Sequence, residues 1–158
     1  MMPILESDAG SKPGASERLV EQPRAQVKKA ASVNIQSDRD ILSARQQGRA
    51  LAQQVGLTSS DQTVVATVIS ELARNILLYA RPGALTLGVV ESNGRRGIQV
   101  EARDHGPGIP DIERALRVGY STSKSLGLGL PGVRRLVDEF EIVSKPGKGT
   151  VVKVKKWK

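Results

Sequence analysis

Residues 97–110 read Gly97-Ile98-Gln99-Val100-Glu101-Ala102-Arg103-Asp104-His105-Gly106-Pro107-Gly108-Ile109-Pro110. The stretch from Gly97 to Arg103 has the composition of a strand, and it ends in a carboxylate followed by a loop rich in Gly and Pro. Upstream, a second strand from about Ala84 to Glu91 is joined to it through Asn93-Gly94, a favoured two-residue hairpin turn, so the pair is antiparallel by construction. A chain built around such a hairpin, with no regular alternation of strand and helix, favours an α/β (α+β) two-layer sandwich over a doubly wound parallel sheet. The sheet is expected to be mixed and mainly antiparallel, with helices covering one face.

Working outward from the hairpin, Val33 and Ile35 alternate with Ser32, Asn34 and Gln36 as in a half-buried strand starting at Ala31. Ser37 then reads as a helix cap with Asp40 at box-like spacing. Ile41, Leu42, Ala44, Gly48, Leu51, Ala52 and Val55 form an apolar stripe that Gly56 ends. A second helix is predicted from Ser59 or Ser60 to about Tyr79, with Val64, Val65, Val68, Ile69, Leu72, Ala73 and Ile76 on its buried side, stopped by Arg81-Pro82-Gly83. Beyond the hairpin come a short helix near Asp111 to Val118 and a glycine-rich loop from Gly119 to Gly129. A helix from about Leu130 to Phe140 follows. Strands at Glu141–Ser144 and Thr150–Lys156 close around the turn Pro146-Gly147-Lys148-Gly149. Residues 1–30 mix Gly, Pro, Ser and alternating charge and read as a flexible tail, leaving 31–158 as one domain.

Composition narrows the function classes. The 158 residues suit one domain plus a tail, and 39% hydrophobic residues suffice for a core. No stretch approaches the ~20 apolar residues of a membrane span and no secretory pattern opens the chain, so a soluble cytoplasmic protein without a membrane role is expected. Zero cysteines exclude disulfides and thiolate metal sites. The formal charge is +8, and residues 1–30, with five basic and four acidic side chains, leave +7 of it to the rest. Residues 145–158 hold six lysines and no acid. With only 3% aromatic residues, the stacking side chains of most single-strand binders are nearly absent, so no nucleic-acid partner is expected. The lysines then serve either as a solvated strand edge or as a dock for an acidic partner or a triphosphate.

Three segments carry chemistry. Glu71 and Asn75 lie four residues apart at the border of the second helix's apolar stripe and can share a pocket. There a carboxylate can take a proton from a nucleophile, and an amide oxygen can ligate Mg²⁺. A solvated helix face is the alternative. Asp104 can accept from an adenine amino group, while Gly106 and Gly108 let backbone approach a flat base or, alternatively, satisfy a tight turn. Ser121-Thr122-Ser123-Lys124-Ser125-Leu126-Gly127-Leu128-Gly129-Leu130 leads into a helix whose free N–H groups and dipole favour phosphate. It is not a Walker loop, because Lys124 precedes the glycines.

Taken in order, Asn75, Asp104-x-Gly106-x-Gly108 and Gly127-x-Gly129 resemble the N-box and two glycine boxes of the GHKL ATPase superfamily, which includes gyrase and sensor histidine kinases and has the Bergerat fold. Thr150, in Gly149-Thr150 entering the last strand, resembles the superfamily threonine that helps fix adenine. Ser70-Glu71-Leu72-Ala73-Arg74-Asn75-Ile76, the string from Asp104 to Asp111, and the run from Gly119 through Val133 are similar to the RsbT-type switch serine/threonine kinases of the bacterial stressosome. The resemblance covers about residues 31–158. His105 departs from the pattern, which carries an acidic or amide residue there, so its side chain is expected to have no required role.

The resemblance implies ATP with adenine on Asp104 and Thr150, Mg²⁺ on Asn75, and phosphates against the loop from Ser121 to Gly129. Gly106, Gly108 and Ile109 in the first box, and Ser121, Thr122, Ser123, Lys124, Gly127, Leu128, Gly129 and Leu130 in the second, would then contact nucleotide, with Glu71 as catalytic base. It further implies STAS-domain protein substrates and activation of a PPM-type phosphatase in a stress-signalling switch. The other class left open is an anti-sigma factor or non-catalytic ATP-binding switch module. Sensor histidine kinase chemistry is disfavoured because the single histidine sits in the nucleotide loop.

Overall fold

The computed structural model describes residues 25–117 and 129–158. Five strands and four helices follow in the order β1 (Gln26–Asn34), α1 (Asp38–Val55), α2 (Ser59–Tyr79), β2 (Gly83–Ser92), β3 (Arg95–Asp104), α3 (Ile112–Ala115), α4 (Gly129–Leu136), β4 (Glu139–Lys145) and β5 (Gly149–Trp157). The strands form one sheet in the order β1-β2-β3-β5-β4, and all four pairings are antiparallel. Helices α1 and α2 pack together and across the central strands, and α4 packs on α2. This is the expected two-layer sandwich.

Local signals explain most of the elements. The Asp40 carboxylate accepts from the backbone N–H of Ser37 at 3.1 Å and of Gln36 at 2.8 Å, which anchors the start of α1. Gly56 closes that helix in the left-handed conformation at φ 95°. Thr58 caps α2 by accepting from the Asp61 N–H at 3.1 Å. Asn93 and Gly94, at φ 53° and 77°, make the two-residue turn between β2 and β3. The pleat then sends Leu85, Leu87, Val89, Ile98, Val100, Ala102, Val152 and Val154 into one core with Ile69, Leu72 and Ile76 of α2. Gly48 brings α1 close to α2, because a Cβ there would overlap the Ile69 side chain.

Three expectations are corrected. The first strand begins at Gln26, so residues 26–30, read as tail, lie in the sheet. Residues 26–30 are all exposed, and backbone pairing to β2, which leaves no hydrophobic alternation there, holds them in the sheet. Leu42 is 51% exposed, because its position, about 100° around the helix from Ile41, falls off the buried stripe. Helix α4 ends at Leu136 instead of near Phe140. The Asp138 N–H donates to the Lys155 carbonyl at 2.9 Å and the Asp138 carboxylate accepts from the Trp157 N–H at 2.7 Å, drawing the chain into β4, where Phe140 lies opposite Val154.

Candidate functional site

The open ends of α2, β3 and β5 converge on a cavity of about 390 Å³. From α2, Leu72, Asn75, Ile76 and Tyr79 face it, the i, i+3, i+4, i+7 spacing of one helix side. Ala102 and Asp104 at the end of β3 and Thr150 and Val152 at the start of β5 form its sheet wall, and Gly108, Ile109, Gly129 and Leu130 contribute from the following segments. Most of this lining is apolar, with Asn75, Asp104 and Thr150 as convergent polar groups.

Asp104 is the last residue of β3, in register with both Gly83 and Thr150. Its Oδ1 accepts from the Gly106 N–H at 2.9 Å and the Thr150 N–H at 3.2 Å. Two donors on one oxygen orient the carboxylate, and among the described residues Oδ2 accepts no hydrogen bond. Thr150 is buried, and its hydroxyl lies 2.7 Å from Ser144 Oγ, which also accepts from the Ile109 N–H at 2.7 Å. Ser144 thereby ties the loop after β3 to the strand that carries Thr150. Sequence reading missed it, although its place opposite Thr150 across the Pro146–Gly149 turn was countable from the hairpin.

The glycines of the first box serve the fold more than a ligand. A Cβ on Gly106 would come within 2.7 Å of Ala80 Cα at the end of α2, and Gly106 does not line the cavity. Gly108 lines it with φ at 81°, but a Cβ there would overlap the Lys145 carbonyl. Gly149, at φ 104°, is pressed against the Asp104 carbonyl in the same way. These contacts lock three loops together at the cavity wall.

Glu71 and Asn75 share a side of α2, but only Asn75 lines the cavity. Glu71 is 4% exposed, with Arg74 Nη1 at 3.7 Å from its Oε2. The structure therefore brings Asn75, Asp104, Gly108, Ile109, Gly129, Leu130 and Thr150 to one cavity and leaves Glu71 and Gly106 beside it. Ser121, Thr122, Ser123, Lys124, Gly127 and Leu128 lie outside the described residues. Tyr79, Asp111 and Arg114, which sequence reading did not select, also line the cavity. The single histidine, His105, is exposed, and its backbone N–H donates to the Pro82 carbonyl at 3.0 Å. Among the described residues no helix is long and apolar enough to cross a membrane.

Residues 60–158 match the family of histidine kinase-, DNA gyrase B- and HSP90-like ATPases. The chain is 48% identical to the serine/threonine-protein kinase RsbT of Bacillus subtilis over 125 residues, covering 79% of this chain and 94% of that one. It is also 31% identical to the anti-sigma F factor of a Thermoanaerobacter species, over 68% of this chain and 78% of the relative. Among solved structures, that of the RsbU and RsbW domains of Rv1364c from Mycobacterium tuberculosis superposes with a TM-score of 0.56 at 18% identity, covering 82% of this chain and 32% of that chain, a likeness of fold. With the Asp104–Thr150 wall and Asn75 on one cavity, these relationships assign the chain to the histidine kinase-, DNA gyrase B- and HSP90-like ATPase family, in the branch of serine/threonine-protein kinases that RsbT represents.

Proposed function

We propose that this chain transfers the γ-phosphoryl group of ATP to a serine or threonine of a STAS-domain protein and, once released from that substrate, activates a PPM-type phosphatase. The observation that carries the nucleotide part is the wall formed by Asp104 and Thr150. A carboxylate with one oxygen held by two backbone donors, and the other unclaimed among the described residues, suits the amino group of adenine. Ile76, Ala102, Ile109 and Val152 line the same cavity with aliphatic surface for the flat base. The volume lies within the ~300–1,000 Å³ usual for small-molecule sites.

The donor set also fits a hard cation. Asn75 offers an amide oxygen on the cavity wall, and Mg²⁺ is commonly held by one or two protein oxygens together with substrate phosphates. When bound, Mg²⁺ would neutralise charge developing on the phosphate oxygens. The phosphates would extend toward the segment that enters α4 at Gly129 and Leu130, with Ser121, Thr122, Ser123, Lys124, Gly127 and Leu128 supplying further contacts.

Glu71, one turn before Asn75, would act as base. In the transfer the substrate hydroxyl oxygen forms a bond to the γ-phosphorus as the bridging bond to the β-phosphate breaks. ADP leaves with that bridging oxygen, and the hydroxyl proton passes to the Glu71 carboxylate. Such a base is worth ~10²–10⁴ in rate. We further take the protein as cytoplasmic.

The test is transfer of labelled γ-phosphate from Mg·ATP to purified STAS-domain proteins by wild type, Glu71→Ala and Asp104→Asn. Transfer by wild type alone, with nucleotide affinity kept in Glu71→Ala and lost in Asp104→Asn, is the expected pattern. Full-rate transfer by Glu71→Ala would remove the base assignment. ATP binding without labelling of any candidate would favour a non-catalytic switch module of the anti-sigma type.

A further inference from the structure

The lysine-rich end of the chain divides into two groups. Along β5, Lys155 Nζ lies 3.3 Å from Glu139, and Lys156 Nζ lies 3.5 Å from Asp138 and 3.8 Å from Asp61. Lys153 sits in register with Glu101 on one side and Glu141 on the other. Lys155 and Lys156 are thus ion-paired within the fold, and Lys153 is flanked by carboxylates. Lys145 and Lys148, flanking the β4–β5 turn, make no ion pair among the described residues. With Arg103 and His105 they line a second, smaller cleft of about 150 Å³, which borders the main cavity and shares Asp104 and Thr150 with it.

Strand alternation sets the Arg103 and Val151 side of this cleft on the sheet face opposite the helices, while Asp104 and Thr150 join it to the main cavity at the sheet end. Ala102 and Val152 face the main cavity, so their neighbours Arg103 and Val151 point the other way and line the cleft. Arg103 is 57% exposed and shares its charge with Glu101 at 3.6 Å, the one carboxylate paired to the cleft's cations among the described residues. Val143 is 60% exposed in the midst of these cations. Aliphatic floor and basic rim together match a segment that alternates carboxylates with an aliphatic side chain. No Phe, Tyr or Trp lines the cleft, so it lacks the large stacking platform on which single-stranded nucleic acid is usually held.

We propose that the cleft of Arg103, His105, Lys145 and Lys148 docks an acidic peptide segment of a partner protein, with Val143 and Val151 receiving an aliphatic residue between the carboxylates. The proposal does not depend on phosphoryl transfer.

The experiment uses the full chain, ¹⁵N-labelled, titrated with the blocked peptide Asp-Glu-Leu-Asp-Glu, and in parallel with Lys-Lys-Leu-Lys-Lys, inorganic phosphate and an oligothymidylate. Saturable shifts confined to the amides around Arg103, His105, Val143, Lys145 and Lys148, produced by the acidic peptide alone, are expected. The double variant Lys145→Glu/Lys148→Glu should weaken that binding by about tenfold or more. Its urea unfolding midpoint, measured separately, should stay near the wild-type value and so report an intact fold. A peptide affinity unchanged in the charge-reversed variant, or shifts located elsewhere, would overturn the proposal. Equal shifts from phosphate would make the cleft a small-anion site, and tighter binding of the oligothymidylate through the same amides would make it a nucleic-acid site; either result also overturns it.

Discussion

Ser144 and Thr150 face each other across the β4–β5 hairpin and hydrogen-bond through their hydroxyls at 2.7 Å. The same Ser144 Oγ accepts from the Ile109 N–H and lies 3.3 Å from the Gly149 carbonyl. If Ser144 donates to Gly149, Thr150 donates to Ser144; if Ser144 donates to Thr150, the Thr150 proton is left for a ligand. A single hydroxyl thus sets both the loop position and the hydrogen-bonding sense of Thr150. Ser144→Ala should lower stability by about 1 kcal/mol, because the Ile109 N–H loses its partner in a half-buried site. It should also weaken ATP binding by roughly fivefold to tenfold, equivalent to ~1 kcal/mol, since Thr150 is no longer oriented. Calorimetric titration with ATP checks the second effect and urea unfolding the first.

Gly94 and Gly108 separate strain from overlap. Both have positive φ, 77° and 81°, but a Cβ at Gly94 meets nothing within 4 Å, whereas one at Gly108 runs into the Lys145 backbone. Gly94→Ala should cost about 1 kcal/mol, the conformational term alone. Gly108→Ala should cost at least about 2 kcal/mol more, because backbone must move. Comparing urea midpoints of the two variants tests this ordering, and equal midpoints would contradict the packing of the first glycine loop on the β4–β5 turn.

Glu139 gives the stability a pH dependence of known sign. Its carboxylate accepts from the Trp157 indole N–H at 2.6 Å, which holds its pKa below the ordinary glutamate value, with burial opposing and Lys155 and Arg95 reinforcing. A depressed folded-state pKa means stability that is present above the unfolded pKa and lost as the pH falls through the folded one. Relative to Glu139→Gln, wild type should therefore be more stable at neutral pH, and the difference should vanish as both reach strongly acidic pH. The side chain is 47% exposed, so after discounting for solvent screening the neutral-pH difference should be below about 1 kcal/mol. Urea unfolding followed by the fluorescence of Trp157, the chain's single tryptophan, measures it directly.

His105 departs from the family pattern, yet its side chain is exposed and does not line the main cavity. His105→Asn should leave ATP affinity within about twofold of wild type, since surface substitutions usually change free energies by no more than ~0.5 kcal/mol. A large loss in equilibrium dialysis would show that the imidazole contributes to the nucleotide site after all.

Much of the fold was legible where local chemistry agrees with tertiary structure. The Asn93-Gly94 turn, the Ser37 cap, the start of α2 at Ser59 and the apolar stripes of α1 and α2 appear where local signals expect them, because turn conformation, capping and burial act within a few residues. The first five residues of β1, 26–30, and the early end of α4 were not legible. Both depend on pairing with distant chain, Gln26 with Glu91 and Asp138 with Lys155 and Trp157, which leaves no periodic trace.

For the site, residue types and spacing marked Asn75 on a helix face and Asp104 at the end of a strand as candidate polar groups, while the resemblance to the GHKL superfamily named Thr150 and joined the three in one pocket. Which neighbours complete that pocket was decided in three dimensions. Ser144 became part of the wall only through the β4–β5 register, and Gly106 turned out to seat a loop on Ala80 instead of facing the cavity. Likewise, six lysines in the last fourteen residues fix a basic surplus, but only the tertiary structure pairs Lys155 and Lys156 with carboxylates and leaves Lys145 and Lys148 beside Arg103. Charge is additive along a chain, whereas its neutralisation depends on distances of a few ångströms between residues far apart in sequence.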